Sequence, residues 1–232
     1  MPMFYYFDPL YFLFALPGLL IALFAQAKVK SNYSKYSQVF TQNNITGADA
    51  AREILQRNGI FDVEVKRISG NLTDNFNPKD NTIYLSDGVY GSNTVSAVGI
   101  ASHEAGHAVQ HAKNYTPVKI RMALVPVCNF GAGISPFLII LGYVLNIWQL
   151  LYLALGVFLL SVLFQLVTLP VEFDASRRAL KSIESYSMLN EYELKGAKKV
   201  LSAAALTYVA ALLQSLLIFL YYLLRFSGNR RN

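Results

Sequence analysis

Cysteine, histidine and charged residues are all scarce in this chain of 232 residues, and each scarcity narrows the class of protein. With a single cysteine, Cys128, no intramolecular disulfide can form, so the composition gives no support for an oxidising compartment. Charged residues make up only 15% of the chain and hydrophobic residues 54%, which is too apolar for an ordinary soluble domain of this size. The composition therefore predicts a membrane protein.

Four apolar stretches are long enough to cross a bilayer, since a helix of roughly 20 residues spans about 30 Å of hydrocarbon. No basic residue precedes the first of them, which favours a retained anchor over a cleaved signal peptide, the alternative. None of the stretches carries paired charges that would be buried, which argues against a transporter. The predicted spans are residues 9–27, 122–144, 148–169 and 201–224.

The net charge of +6 would suggest nucleic-acid binding in a soluble protein, but here the basic residues flank the predicted spans. The positive-inside bias places such flanks in the cytoplasm and the amino terminus outside. The tail, with Arg225, Arg230 and Arg231, then lies outside against the bias, unless the final segment is re-entrant. The flanking cations on which the orientation rests are Lys28, Lys30, Lys35, Lys113, Lys119, Arg121, Arg177, Arg178, Lys181, Lys195, Lys198 and Lys199.

Residues 28–119 are the one soluble stretch of any size, and the sequence shows no internal repeat or low-complexity tract. In this stretch "TGADAAREILQRNG" has the apolar spacing of an amphipathic helix with Thr46 as its N-cap. "IFDVEVKRI" and "NTIYLSD" alternate like half-buried strands, and "SGNLTDNFNPKD" between them is predicted as loop. Asp74 in that loop caps a turn or orients a group in a site. A proline-free helix is predicted from Asn93 to about Lys113.

All three histidines fall in "GIASHEAGHAVQHAKNY", residues 99–115, where His103, Glu104 and His107 form the pattern His-Glu-x-x-His. Residues four apart on a helix differ by about 40°, so both imidazoles face the same way and can bind one zinc ion at about 2.0 to 2.1 Å. Glu104 beside them is placed to take a proton from a water activated by the metal. A histidine pair without metal is the alternative, but a chance match in a chain of this length has a probability on the order of 1%.

A catalytic zinc normally has three protein ligands and one open position, so a third ligand is required. In the metzincin pattern the late histidine would fall at Lys113, which excludes that class. His111 lies one turn beyond His107, where a third ligand on the same helix would stretch past a single ion. We therefore predict an accessory or merely polar role for His111.

Glu172 in "LPVEFDASRRAL", just past the third predicted span, is the best candidate for the third ligand. A carboxylate in so apolar a neighbourhood needs a partner, for which a metal suffices, although the nearby arginines are an alternative. Ser176, four residues on, shares the face of Glu172 and can hydrogen-bond a ligand. Asp174 points roughly 200° away on an ideal helix and is predicted to pair with Arg177 or Arg178.

Several stretches together resemble the bacterial neutral zinc metallopeptidases of the membrane, the YugP-like group, over nearly the whole chain. The resemblance implies zinc bound by His103, His107 and Glu172, with Glu104 as general base. The stretches that carry it are "TGADAAREILQRNGI", "LTDNFNPKDNTIYLS", "VSAVGIASHEAGHAVQHA", "VPVCNFGAGISP" and "LPVEFDASRRA".

The chain is more distantly similar to the gluzincin membrane peptidases, in which an aspartate follows the third-ligand glutamate by four residues. Here that position is Ser176, so a carboxylate supporting the ligands there is not implied. In related peptidases an edge strand before the metal helix pairs with the substrate backbone, and "NTIYLS" occupies that place. An internal strand is the alternative.

The predicted fold is an α-helical membrane protein with about four transmembrane helices and a small α+β zincin-like soluble subdomain. Residues 1–27 form the anchor helix and residues 28–119 the cytoplasmic metallopeptidase subdomain with the His-Glu-x-x-His helix. Residues 120–232 form the membrane bundle, with a third-ligand helix at about 170–186 and a final span at about 201–224.

The predicted function is a membrane-integrated zinc endopeptidase with one zinc per chain. Its active site is expected at the cytoplasmic surface of the cell membrane, and its substrate is expected to be a membrane-associated protein or peptide. No nucleic acid is expected as a partner, whereas a membrane-protein partner or a homo-oligomer is compatible with the sequence. The alternative is a zinc-stabilised membrane scaffold in which four protein ligands close the metal site and no peptide is cut.

Overall fold

The computed structural model describes residues 8–228, which are mostly helical and contain one small sheet. Arg230 and Arg231 of the predicted tail lie outside the described residues. The strands are β1 Glu64–Ile68, β2 Asn75–Asn77 and β3 Thr82–Ser86. The helices are α1 Pro9–Tyr36, α2 Gly47–Arg57, α3 Asp87–Tyr90, α4 Val95–Ala112, α5 Thr116–Val144, α6 Trp148–Ser185 and α7 Glu191–Gly228.

Four of the helices, α1, α5, α6 and α7, are long and apolar enough to cross a membrane. Each contains the whole of one predicted span and extends beyond it at one end or both. The prediction of four apolar helices of membrane-spanning length is therefore confirmed.

Internal contacts divide the chain into two compact units. The first, the helical unit, comprises Lys119–Leu169 and the described parts of Met1–Ala25 and Thr207–Asn232. The second, the sheet unit, comprises Gln26–Val118 and Pro170–Leu206. Helix α6 thus contributes residues 148–169 to the helical unit and residues 170–185 to the sheet unit.

The sheet has the strand order β1-β3-β2, with β3 parallel to β1 and antiparallel to β2. The "NTIYLS" strand is therefore internal, and the prediction that it is an edge strand for substrate is wrong. The reason is that β2, predicted as loop because of its Asn-rich composition, pairs with β3 on the side that was expected to be free. Ile83 of β3 is accordingly fully buried, opposite Val65 on one side and Phe76 on the other.

Helix α2 buries the apolar face that its spacing predicts, including Ile54 and Leu55. Its N-cap is Thr46, whose side chain accepts a hydrogen bond from the Asp49 amide. This face packs against α4, the helix that carries the histidines. Helix α4 can pack closely against neighbouring elements because its buried residues are mostly small, among them Ala97, Gly99, Ala101, Ala105 and Ala108.

The start of α7 is fixed by a reciprocal pair of hydrogen bonds between Asn190 and Glu193. The Glu193 carboxylate accepts from the Asn190 amide and Asn190 Oδ1 accepts from the Glu193 amide, both at 2.9 Å. This arrangement is the capping box, which satisfies amides that a helix start would otherwise leave unpaired. The amide of Gln42 also donates to Glu193 at 2.8 Å, so the same carboxylate ties a distant loop to the start of α7.

Small residues permit close helix contacts at two places in the helical unit. A Cβ atom on Gly131 would lie 2.6 Å from a Val157 methyl carbon, and one on Gly142 would lie 2.8 Å from Leu151 Cδ2. Gly133, in contrast, faces open space. A polar contact joins two helices of this unit, where Gln165 Nε2 donates to Ser215 Oγ at 2.7 Å.

Candidate metal centre

Three side chains from two helices of the sheet unit converge at one point. His103 and His107 come from α4, and Glu172 comes from α6. One ligand atom from each lies within 4.8 Å of the other two. Glu172 Oε2 is 3.3 Å from His103 Nε2 and 3.5 Å from His107 Nε2. The structure thus brings together the three residues predicted to bind zinc.

The donor set suits a zinc ion in both chemistry and spacing. Catalytic zinc sites commonly use imidazole nitrogens and a carboxylate oxygen as three ligands and keep a fourth position open. With ligand bonds of about 2.0 to 2.1 Å and tetrahedral angles, neighbouring donor atoms lie about 3.3 Å apart. The two measured carboxylate to imidazole separations, 3.3 and 3.5 Å, match that requirement.

The electrostatics of the group also favour a cation. Burial by itself would raise the pKa of Glu172, which is 2% exposed, but hydrogen bonds to His103 and His107 hold it well below its usual range. Burial would lower the pKa of His107, but the hydrogen bond to Glu172 and the charge of Glu104 raise it above its usual value. The site therefore favours a positive charge next to the buried carboxylate of Glu172. A divalent metal ion would supply that charge.

Gly106, within the motif itself, sets the separation between α4 and α6. A Cβ atom at this position would lie 2.6 Å from the backbone oxygen of Ala175 and 3.2 Å from its carbonyl carbon. Such distances essentially never occur, so only glycine allows this backbone approach. Because Ala175 lies between Glu172 and Ser176 in α6, this contact brings both side chains within reach of the histidines.

Each imidazole is supported at its second nitrogen. His103 Nδ1 lies 3.1 Å from Ser176 Oγ, as the shared face of Glu172 and Ser176 predicts. His107 Nδ1 lies 3.0 Å from Gln110 Oε1, a contact that the sequence analysis missed. A signal was available, because Gln110 follows His107 by three residues and so shares its helix face.

Asp174 has two roles, of which sequence analysis anticipated one. It pairs with Arg178, as predicted. It also accepts a hydrogen bond of 2.9 Å from Gln110 Nε2 and so connects to the metal centre. Burial works against ionisation of Asp174, but the hydrogen bonds from Arg178 and Gln110 lower its pKa below the usual value.

Glu104 is buried beside the histidines and is held by the sheet. Its Oε2 atom accepts a hydrogen bond of 2.9 Å from the backbone amide of Phe76 in β2. The side chain is 8% exposed, and its charge contributes to the raised pKa of His107. The edge strand β2 therefore fixes one oxygen of the predicted general base.

The remaining candidates lie outside the group of three. Asp74 contacts the end of β3 and not a turn next to it in sequence, since its Oδ1 accepts from the Ser86 amide at 2.7 Å and its carboxylate also accepts from the Ser86 hydroxyl. Burial raises the pKa of Asp74, although the Ser86 hydrogen bonds oppose that shift. The ring of His111 packs against Phe76 with centroids 5.7 Å apart. His111 is absent from the set of grouped donor atoms found within residues 8–228.

Comparison with known proteins places the chain in a family. A family profile described as "Putative neutral zinc metallopeptidase" matches residues 11–227. The chain belongs to this family. The chain is 43% identical over 221 residues to the "Putative membrane protease YugP" of Bacillus subtilis (strain 168), and the aligned region covers 95% of this chain and 98% of that protein. No solved structure matches the chain.

Membership confirms the resemblance drawn from the motifs. It supports proteolysis in general terms, with protein or peptide as the substrate class and zinc as the metal. Among residues 8–228, His103, His107 and Glu172 form a group that could hold a metal ion.

Proposed function

We propose that the chain is a membrane-integrated zinc endopeptidase that hydrolyses peptide bonds near the cytoplasmic membrane surface. One zinc ion per chain would be held by His103, His107 and Glu172, with Glu104 as general base. The observation that carries the proposal is the convergence of these three donors within 4.8 Å in a zinc metallopeptidase family member.

Bound zinc supplies a Lewis acid that lowers the pKa of a water molecule towards 7 and polarises the substrate carbonyl. Glu104 accepts the proton of the attacking water and returns it to the leaving amine, the usual action of a positioned general base. The Phe76 amide, 2.9 Å from Glu104 Oε2, leaves the second carboxylate oxygen for this transfer. His103 and His107 are oriented by Ser176 and Gln110, so their ligating nitrogens face Glu172.

The membrane location follows from the position of Glu172 in the chain. It comes three residues after the predicted span 148–169, a rise of about 5 Å along a helix. The basic residues around this point indicate the cytoplasmic side by the positive-inside bias. Membrane-associated proteins are therefore the proposed substrates, and their cleavage sites would lie close to the bilayer.

We assign the sheet unit to a zincin-like subdomain of the gluzincin type. The support is the arrangement of a small sheet, a following helix with two histidines, and a glutamate on a later helix. In this assignment β2, the strand that contacts Glu104, takes the place of the edge strand next to the active site.

The test combines zinc stoichiometry with comparative proteomics. Glu104→Gln removes the base but keeps the ligands, so we expect one zinc per chain and a loss of cleavage of about 10²- to 10⁴-fold. His103→Ala removes a ligand and is expected to lose both zinc and cleavage. Proteins that accumulate uncut in cells with Glu104→Gln, relative to cells with the natural chain, identify the substrates.

Two results would contradict the proposed endopeptidase. If the purified chain binds zinc through four protein ligands with no exchangeable water, or if Glu104→Gln changes no cellular peptide, the endopeptidase proposal is wrong. The zinc-stabilised scaffold would then be the remaining explanation.

A further inference from the structure

Gln110 is fully buried and contacts three groups at once. Its Oε1 atom lies 3.0 Å from His107 Nδ1. Its Nε2 atom donates to the backbone oxygen of Val171 at 2.8 Å and to Asp174 Oδ2 at 2.9 Å. One amide on α4 therefore joins a predicted metal ligand to two acceptors on α6, all within the sheet unit.

The two acceptors determine which way the amide faces. A backbone carbonyl and an ionised carboxylate can only accept hydrogen bonds, so the NH₂ group of Gln110 must face Val171 and Asp174. Its oxygen must then face His107. Since that oxygen can only accept, Nδ1 of the imidazole must carry the proton. In the neutral imidazole, which is the form that binds a metal, Nε2 then carries the lone pair that a ligand needs, and it lies 3.5 Å from Glu172.

We infer that Gln110 is a positioning residue that connects Asp174 to His107 and fixes the metal-binding tautomer of this imidazole. The inference rests on the proposed zinc endopeptidase. Asp174 is itself held by Arg178, so the chain of contacts runs from Arg178 through Asp174 and Gln110 to His107.

The support of the other histidine differs in kind. His103 Nδ1 lies 3.1 Å from the Ser176 hydroxyl, which can donate or accept and so does not select a tautomer. In the gluzincin pattern, position 176 would be an aspartate. In this chain a carboxylate instead supports the other imidazole, indirectly, from Asp174 through an amide. Gln110 thus supplies directional support that Ser176 does not provide.

The first experiment measures zinc affinity by chelator competition on the detergent-solubilised full chain. Gln110→Leu removes both ends of the amide, and we expect zinc to bind about 10- to 100-fold more weakly, as for other residues that orient metal ligands. Gln165→Leu is the matched control, since this glutamine bonds to Ser215 in the helical unit. The control is expected to keep the natural affinity.

A compensating pair separates orientation from general packing. Gln110→Glu places a second carboxylate against Asp174 and should weaken zinc binding. In Gln110→Glu with Asp174→Asn, the new asparagine donates to the new glutamate, whose other oxygen still accepts from His107 Nδ1. The double variant has the same net charge as the natural chain, but its glutamate cannot donate to the Val171 carbonyl, so we expect it to recover part of the lost zinc affinity. A purely structural role of Gln110 predicts no such recovery.

Nuclear magnetic resonance of ¹⁵N-histidine in the zinc-loaded protein provides a readout that is independent of activity. The Nδ1 proton of His107 should exchange slowly with water in the natural chain and in the double variant, because it is bonded to a buried acceptor. Should Gln110→Leu fail to fold, these two proteins still decide the question. A rapidly exchanging Nδ1 proton in the natural chain overturns the inference.

The outcomes distinguish this inference from the proposed function. If the natural chain binds no zinc, both are wrong. If the natural chain binds zinc and cleaves peptides while Gln110→Leu binds zinc equally well, only the role of Gln110 is wrong.

Discussion

The sheet unit and the helical unit differ in whether their large apolar side chains are buried or exposed. In the sheet unit, Ile83, Leu85 and Val98 are fully buried in one continuous core. In the helical unit, Phe130 and Phe137 are each 72% exposed. In the most apolar stretch of each candidate span, only 11% to 22% of the residues are buried inside the protein. The sheet unit thus has the apolar interior of a protein that folds in water. The helical unit has an apolar surface, which suits contact with lipid.

The chemistry follows the same division. The sheet unit contains the buried carboxylates Glu104 and Glu172, the two histidines of the metal motif, and the amide of Gln110. Each of these polar groups has a partner that orients it. Within the described part of the helical unit, buried polar contacts of the Gln165 and Ser215 kind join helices and involve no grouped metal donors.

Metal removal should affect one unit and spare the other, and it is the largest effect that we expect. Zinc stabilises only the state that binds it, so a chelator should abolish cleavage and lower the thermal midpoint of the sheet unit. Hydrogen exchange should accelerate in α4 and in residues 170–180, while the helical unit keeps its protection. Restored zinc should reverse both changes. Equal loss of protection in both units would show that the two do not respond separately.

Two highly exposed phenylalanines, one in each unit, test whether the units face different solvents. Phe61 in the sheet unit is 81% exposed and Phe137 in the helical unit is 72% exposed. In water, Phe61→Arg should change stability by no more than about 0.5 kcal/mol. Phe137→Arg should impair membrane insertion by about 2.5 to 3.5 kcal/mol if it faces lipid near the middle of a span. The measurement is the inserted fraction of each variant, and similar fractions would contradict the assignment of solvents.

Two glycines on α4 test the close approach at the metal centre. A Cβ on Gly106 meets backbone at 2.6 Å, whereas one on Gly99 meets Ala197 Cβ at an ordinary 3.5 Å. Gly106→Ala should cost about 1 to 3 kcal/mol of stability and weaken zinc binding, because the backbone of α6 must move away. Gly99→Ala is the matched control and should be neutral or stabilising, because alanine favours a helix by up to about 1 kcal/mol. Thermal midpoints and zinc affinities check both, and equal behaviour would contradict the role of Gly106.

The smallest expected difference in stability is between substitutions at two threonines, Thr46 in the sheet unit and Thr168 in the helical unit. Thr46 caps α2 through the Asp49 amide at 3.2 Å, so Thr46→Ala should lower stability by about 1 kcal/mol. Thr168 donates to the Phe164 carbonyl within α6, a bond that only supplements the helix, so Thr168→Val should change stability by less than about 0.5 kcal/mol. Urea titration of both variants, each compared with the natural chain under the same conditions, provides the two free-energy differences. A larger loss for Thr168→Val would reverse the comparison.

Features encoded within one stretch of sequence were predictable. The spacing of His103 and His107 predicts their common face on α4, and Thr46 predicts a helix start that the structure shows. Glu172 was found because a carboxylate in an apolar stretch requires a partner.

Features that depend on distant partners were not predictable. Strand β2 reads as a turn because Asn75 and Asn77 disfavour strands, and pairing with β3 overrides that preference. The spacing of Gln110 and His107 indicates their contact, but the hydrogen bonds of Gln110 to Val171 and Asp174 arise only when α6 packs against α4. The same cause produced the wrong edge assignment of β3.

The order of the elements along the chain has a consequence for biosynthesis. His103 lies 73 positions before Ser176, the residue four positions after Glu172 on α6. The whole of α5 and the apolar start of α6 come between them. A nascent polypeptide therefore exposes the two imidazoles and the base well before the ribosome has made the carboxylate that completes the ligand set. Under the proposed chemistry the nascent chain stays inactive until Glu172 has been made and packed against α4.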